Sequence, residues 1–116
     1  MQRQILHGKI HRATVTDARV DYVGSITIDA ALLEAADIKS GEKVLIVNIT
    51  NGARIESYAI EGKRGQGDIC LNGGAAKYGK RGDLVIVMSF VILDEAELQH
   101  HAPRIVQVDD RNKAIS

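Results

Sequence analysis

The chain is patterned as short β-type runs broken by polar turns, with little that carries a helical period. Residues 9–16 suit a pleated surface, and residues 20–28 form a second such run, with Ile26 and Ile28 on one face. Asp29 is placed to cap a short helix over Ala30–Ala36, whose Leu32, Leu33 and Ala36 make an apolar stripe. Ser40-Gly41 ends that unit. A β-branched run follows at 44–49, Asn51-Gly52 signals a hairpin, and residues 54–60 are the returning strand.

Glycines 62, 65 and 67 make a polar loop ahead of the short strand Ile69-Cys70-Leu71. Asn72-Gly73-Gly74 reads as a turn, and residues 75–78 as a brief helix ended by Gly79. Leu84–Leu93 reads as a strand buried on both faces. An acidic helical turn at 94–98, a last strand at 104–108 after Pro103, and a polar tail from Asp110 complete the chain. Many short strands in so small a chain favour a small closed barrel. The pattern does not give the strand order.

Length and composition narrow this further. At 116 residues the chain is expected to be one domain, and with no Trp and Phe90 as the only Phe its core must be aliphatic. Fifteen basic and fifteen acidic residues cancel, which argues against a nucleic-acid partner. Cys70 is the only cysteine, so no intrachain disulfide forms and a structural zinc site is not expected. The first residues lack the apolar stretch of a signal peptide, and Leu84–Leu93 is too short to cross a bilayer as a helix. The expected location is cytoplasmic, with no membrane partner.

Several apparent motifs fail. Gly74 to Lys80 matches the start of a phosphate-binding loop, but Arg81 stands where a Ser or Thr would hold magnesium. Gly65-Gln66-Gly67 lacks the third glycine of a dinucleotide fingerprint. His7 and His11 have metal-ligand spacing only for a helix, and their segment reads as strand. His100-His101 reads as a solvated pair, and Asn48-Ile49-Thr50 means little without a secretory signal.

The Gly24-Ser25 step carries chemistry if its neighbours support it. By itself it is a strand-edge glycine followed by a surface serine. Glycine tolerates strained backbone, which would let the serine hydroxyl approach the preceding carbonyl for an intramolecular acyl shift. A hydrolase nucleophile elbow is excluded by Val23, which stands where its first glycine would be.

The neighbours are specific as a set. Lys9-Ile10-His11-Arg12, Tyr22-Val23-Gly24-Ser25-Ile26-Thr27-Ile28-Asp29, Asn51-Gly52-Ala53-Arg54, Tyr58-Ala59-Ile60, Asn72-Gly73, Gly82-Asp83-Leu84-Val85-Ile86 and Pro103-Arg104-Ile105-Val106 occur in that order. Together they resemble the pyruvoyl-dependent aspartate 1-decarboxylase family along nearly the whole chain. The resemblance implies a mainly β fold, a small closed six-stranded double-psi β-barrel with short helices, assembled as a homotetramer with sites between subunits. It implies self-cleavage between Gly24 and Ser25 into residues 1–24 and 25–116, by an N-to-O acyl shift, elimination and hydrolysis. Ser25 would become a covalently bound pyruvoyl group, with no metal and no pyridoxal phosphate. That group would form a Schiff base with L-aspartate and release carbon dioxide and β-alanine, a precursor of pantothenate.

The resemblance also implies roles. Arg54 matches a substrate-binding arginine, suited to a carboxylate, and Lys9 a second cation. Tyr58 matches the proton donor to the carbanion, and Asn72 a side chain that orients carbonyl groups. Gly73, Gly74 and Ala75 would bring backbone N–H groups close to the substrate. Tyr22 and His11 look like outer supports. Two positions depart from the usual pattern. Ser57 stands where Thr is more usual for assisting cleavage, and Gly74 where Ala is usual. A non-enzymatic barrel, or an enzyme for a different acidic amino acid, are the alternatives left open.

Overall fold

The computed structural model describes residues 1–115. Its strands are β1 Arg3–Thr14, β2 Asp17–Arg19, β3 Ser25–Asp29, β4 Lys43–Asn48, β5 Arg54–Gly62, β6 Ile69–Asn72, β7 Leu84–Leu93 and β8 Arg104–Gln107. Two short α-helices, α1 Ala30–Ala36 and α2 Glu95–Leu98, and a 3₁₀ helix at Gly73–Tyr78 fill the connections. The expectation of a mainly β fold with short helices holds. The hydrogen-bonded strand order is β2-β6-β3-β5-β4-β7-β1-β8. That order runs through eight strands from one end to the other, rather than around a closed ring of six.

Most pairs are antiparallel, but β1 with β8, β2 with β6 and β3 with β5 are parallel. Helix α1 forms where its apolar stripe predicts. The Asp29 carboxylate accepts from the Ala31 N–H, and Asp37 ends the helix in left-handed backbone. Leu32, Leu33 and Ala36 are buried against the sheet. Asp94 caps α2 through a reciprocal bond pair with Glu97.

The core is aliphatic, as the composition requires. Ile10, Ile26, Ile28, Leu32, Ile46, Ile69, Leu71, Val85 and Val87 all have their side chains almost wholly out of water. Each such side chain contributes roughly 1.5–3 kcal/mol through burial.

Two expectations need correction. Residues 20–28 are not one strand, because β2 and β3 flank β6 on opposite sides. Arg19 and Ser25 both register with Asn72 at the end of β6, so residues 20–24 must cross over that end. Strand β7 is not buried on both faces. Val85, Val87 and Ser89 point inward, Leu84, Ile86 and Met88 are half-covered, and Phe90 and Ile92 are exposed. Its antiparallel neighbours β1 and β4 leave one face open, unlike a parallel sheet roofed by helices.

Candidate active site

Ser25 opens β3 and is fully buried, while Gly24 just before it is exposed on the crossover. The Ser25 hydroxyl donates back along the chain to the Val23 carbonyl at 3.3 Å. It accepts from the Asn72 amide at 2.9 Å. The oxygen is therefore held on the side of the upstream backbone, one peptide from the Gly24 carbonyl. Alternation along the strands explains the rest of this cluster. Ser25 registers with Asn72 and Thr27 with Cys70, so all four side chains share one face of the β3–β6 pair. The same Asn72 amide nitrogen donates to Thr27 Oγ1 at 2.9 Å, and the Cys70 thiol lies 3.2 Å from Asn72 Oδ1.

A cleft of about 570 Å³ opens over Gly24. Ser57 and Tyr58 line it from β5, with Gly74, Ala75 and Tyr78 from the 3₁₀ helix. Tyr58 reaches this place because Ala59, the next residue, registers with Ile26 of β3. Tyr58 is exposed and Ser57 half-buried. Gly73 sits under the crossover with φ +62°, backbone that glycine adopts readily. A second cleft, of about 290 Å³, is lined by Tyr22, Arg19, Thr27, Cys70 and Asn72. Burial pushes the Cys70 thiol above its usual range, partly offset by the nearby Arg19 charge.

Of the expected site residues, Ser25, Gly24, Ser57, Tyr58, Asn72, Gly73, Gly74, Ala75 and Tyr22 gather around the crossover. Arg54 does not line either cleft. It is exposed at the start of β5, four residues before Tyr58 and on the same face of that strand. Lys9 and His11 are not brought in either. They lie on β1, four strands along the sheet from β3. Burial, then the charges of Lys9 and Arg12, hold the His11 imidazole below its ordinary pKa. Its Nδ1 is buried with no partner among the described residues.

Thr27 and Cys70 were missed as site residues. Thr27 could have been found from its position two residues beyond Ser25, on the same face of a strand. Cys70 stands in the same relation to Asn72. Among the described residues no group of His, Cys, Asp and Glu side chains is arranged to hold a metal ion. No helix of the described chain is long and apolar enough to cross a membrane.

Comparison with known proteins bears on this geometry. The aspartate decarboxylase family model matches residues 1–115. An aspartate 1-decarboxylase of Thermoanaerobacter pseudethanolicus is 51% identical over 116 residues, covering 100% of this chain and 99% of that protein. One from Neisseria meningitidis is 58% identical over 113 residues, 97% of this chain and 89% of its own length. One from Listeria monocytogenes is 55% identical over 112 residues, 97% and 88% of the two chains.

Proposed function

Since the chain belongs to the aspartate decarboxylase family, and is a decarboxylase on that ground, we propose that it makes its own catalytic group from Ser25 and converts L-aspartate to β-alanine and carbon dioxide. The observation that carries this reading is the fully buried Ser25 hydroxyl, bound by Asn72 and placed beside an exposed Gly24.

In the cleavage, Ser25 Oγ bonds to the Gly24 carbonyl carbon and loses its proton. The Gly24–Ser25 C–N bond breaks, the amine takes a proton, and an ester joins the two halves. Loss of the Ser25 α-proton then breaks the bond between Cβ and the ester oxygen, leaving a Gly24 carboxylate and a dehydroalanine. Water converts the latter to a pyruvoyl group and releases ammonia. Glycine at 24 leaves the attacked carbonyl uncrowded, and Ser57 in the same cleft supplies a hydroxyl to assist.

The surroundings fit such a group. The Asn72 amide, now bound to the serine oxygen, is a ready donor to a carbonyl oxygen at that place. When formed, the group supplies a ketone that captures the substrate amine and draws off the electrons left by carbon dioxide. The chain's own residues do the remainder. Tyr58 holds a proton at its phenol oxygen over the cleft, and Arg54 on the same strand face offers a guanidinium to a substrate carboxylate. Gly74 and Ala75 border the same opening, directly after Gly73.

Lys9, with His11 as an outer support, completes the site from a neighbouring subunit of a homotetramer. Two features support that assembly: their separation from Ser25 within one chain, and the exposed Phe90, Ile92 and Ile105 side chains. The double-psi barrel remains the proposed topology, supported by the parallel β1–β8 and β3–β5 pairs within a largely antiparallel sheet. β-Alanine made in the cytoplasm would feed pantothenate synthesis.

Intact-mass analysis of the wild type and of Ser25→Ala tests the reading. The wild type should give residues 1–24 and 25–116, and the variant one uncut chain without activity. A variant that still splits at this bond, or a wild type that never splits, would overturn it. A panel of amino acids assayed for carbon dioxide release checks the substrate.

A further inference from the structure

The Asn72 amide has two faces, and only one of them can serve Ser25 as a donor. Its nitrogen reaches both the Ser25 and Thr27 hydroxyls at 2.9 Å. Turned over, the same amide would present an acceptor to both hydroxyls and withdraw its donors from the reacting serine. The Ser25 hydroxyl, while it donates to Val23, favours the donor face, but both hydroxyl protons can rotate, so the hydroxyls alone do not hold the amide against turning over.

Cys70 decides it. Its sulfur lies 3.2 Å from Asn72 Oδ1 and is the one hydrogen-bond partner of that oxygen among the described residues. The two residues alternate on one strand, and register pairing places them opposite Thr27 and Ser25. A protonated thiol donates to the amide oxygen, whereas sulfur is a poor acceptor for the amide nitrogen. Burial keeps the thiol protonated at neutral pH.

We infer that Cys70 is a positioning residue for self-processing, its thiol fixing the Asn72 amide so that the nitrogen faces Ser25. The inference rests on the self-processing reading above. Cys70 touches none of the reacting atoms and acts through Asn72 alone.

Cleavage of freshly made precursor, followed over time, tests this with Cys70→Ala and Cys70→Ser. Alanine removes the donor and should slow cleavage about three- to tenfold, the factor one ordinary hydrogen bond contributes. Serine restores an O–H donor but can also accept from a turned amide, so its rate should fall between those of Cys70→Ala and wild type. In an Asn72→Ala background the Cys70→Ala effect should vanish, since the residue through which it acts is gone. A Cys70→Ala rate equal to wild type, or an undiminished effect without Asn72, would overturn the inference.

A second readout does not depend on cleavage. In uncleavable Ser25→Ala protein, the NMR signals of the Asn72 side-chain amide should move with Cys70→Ala and return towards their place with Cys70→Ser. Signals indifferent to residue 70 would overturn the inference too. Wild-type protein that never cleaves would defeat the parent reading and the processing role with it, and the amide signals would still show whether residue 70 fixes the Asn72 amide.

Discussion

Gly73 packs directly beneath Gly24: a Cβ added to Gly73 would stand 2.6 Å from the Gly24 Cα and 2.7 Å from its nitrogen. It would also stand 2.7 Å from the Tyr22 carbonyl oxygen, so the whole crossover rests on this one missing side chain. Only backbone is in the way, and backbone cannot swing aside. Gly74 is different. A Cβ there meets nothing within 4 Å, and the residue is not in the left-handed region. Gly73→Ala should therefore displace the scissile residue and slow cleavage by at least about tenfold, the effect expected when about 1.4 kcal/mol is lost from reactive geometry. Gly74→Ala should cleave normally and gain about 0.4–1 kcal/mol in unfolding stability, by restricting the unfolded chain. Cleavage time courses and denaturant melts of the pair check both. The Gly74 departure from the usual Ala should thus leave the site intact.

Ser57 is the departure expected to affect cleavage. It registers with Val44 across the hairpin and lines the cleft with Gly24. A β-branch narrows the χ1 choices of a hydroxyl, and strands favour branched side chains. Ser57→Thr should therefore cleave as fast as wild type or faster. Ser57→Ala removes the hydroxyl and should slow cleavage sharply, by about 100-fold where proton-transfer assistance is lost. Loss of precursor over time distinguishes them, and equal rates for all three residues would make position 57 a bystander.

Local signals in the chain were enough to place most elements. Asp29 and the Leu32–Leu33–Ala36 stripe mark α1 to the residue, because a cap and a helical period depend on near neighbours. Asn51-Gly52 likewise marks the β4–β5 hairpin. What failed was long-range. That β6 lies between β2 and β3 depends on pairings such as Arg19 with Asn72 and Ser25 with Asn72, far apart in the chain, so the break at 20–24 was invisible in a run of strand-forming residues. Cys70 was read as a lone thiol for the same reason. Its partner Asn72 is near in sequence, but the hydroxyls that give this pair a purpose sit on another strand. Lys9 and His11 were named only through family resemblance, and one folded chain leaves them apart from Ser25.

Asp29 ties the helix start to the glycine loop and makes stability pH-dependent. Its carboxylate accepts from the N–H groups of Ala31 at 2.8 Å, Gly67 at 2.7 Å and Gly65 at 3.1 Å. Burial pushes the carboxyl up, but these three bonds and the Lys113 charge outweigh it and hold its pKa below the ordinary value. A depressed folded-state pKa gives stability that is present above the ordinary Asp range and lost as pH falls through the folded value. Asp29→Ala should cost about 2 kcal/mol or more at neutral pH, where charged hydrogen bonds are removed. The gap from wild type should narrow below about pH 4, as the wild-type carboxyl protonates. Urea melts at neutral and acid pH measure it. A gap that stays constant would assign the effect to packing rather than to charge.

Substitution of Tyr58 should separate making the proposed catalytic group from using it. Its phenol stands exposed on β5 while its neighbour Ala59 is fixed in register against Ile26, so the ring overhangs the cleft at Gly24 without filling the core. No hydrogen bond connects its oxygen to Ser25 or Asn72 among the described residues, and the Ser25 hydroxyl is held by Asn72 instead. Cleavage should then be indifferent to the phenol proton. In the proposed reaction the charge left by carbon dioxide arises only after cleavage, and it needs an acid. Tyr58→Phe keeps the ring and deletes that proton, so folding and cleavage at Ser25 should survive. Turnover should fall about 100- to 10,000-fold, the range for a lost general acid. Substrate capture should persist, shown by mass analysis after aspartate and borohydride are added together. Fully cleaved Tyr58→Phe protein with near-normal β-alanine production would show that water or another group is the acid. Failure to cleave would move Tyr58 from turnover to maturation, since the only step then blocked lies before any substrate binds.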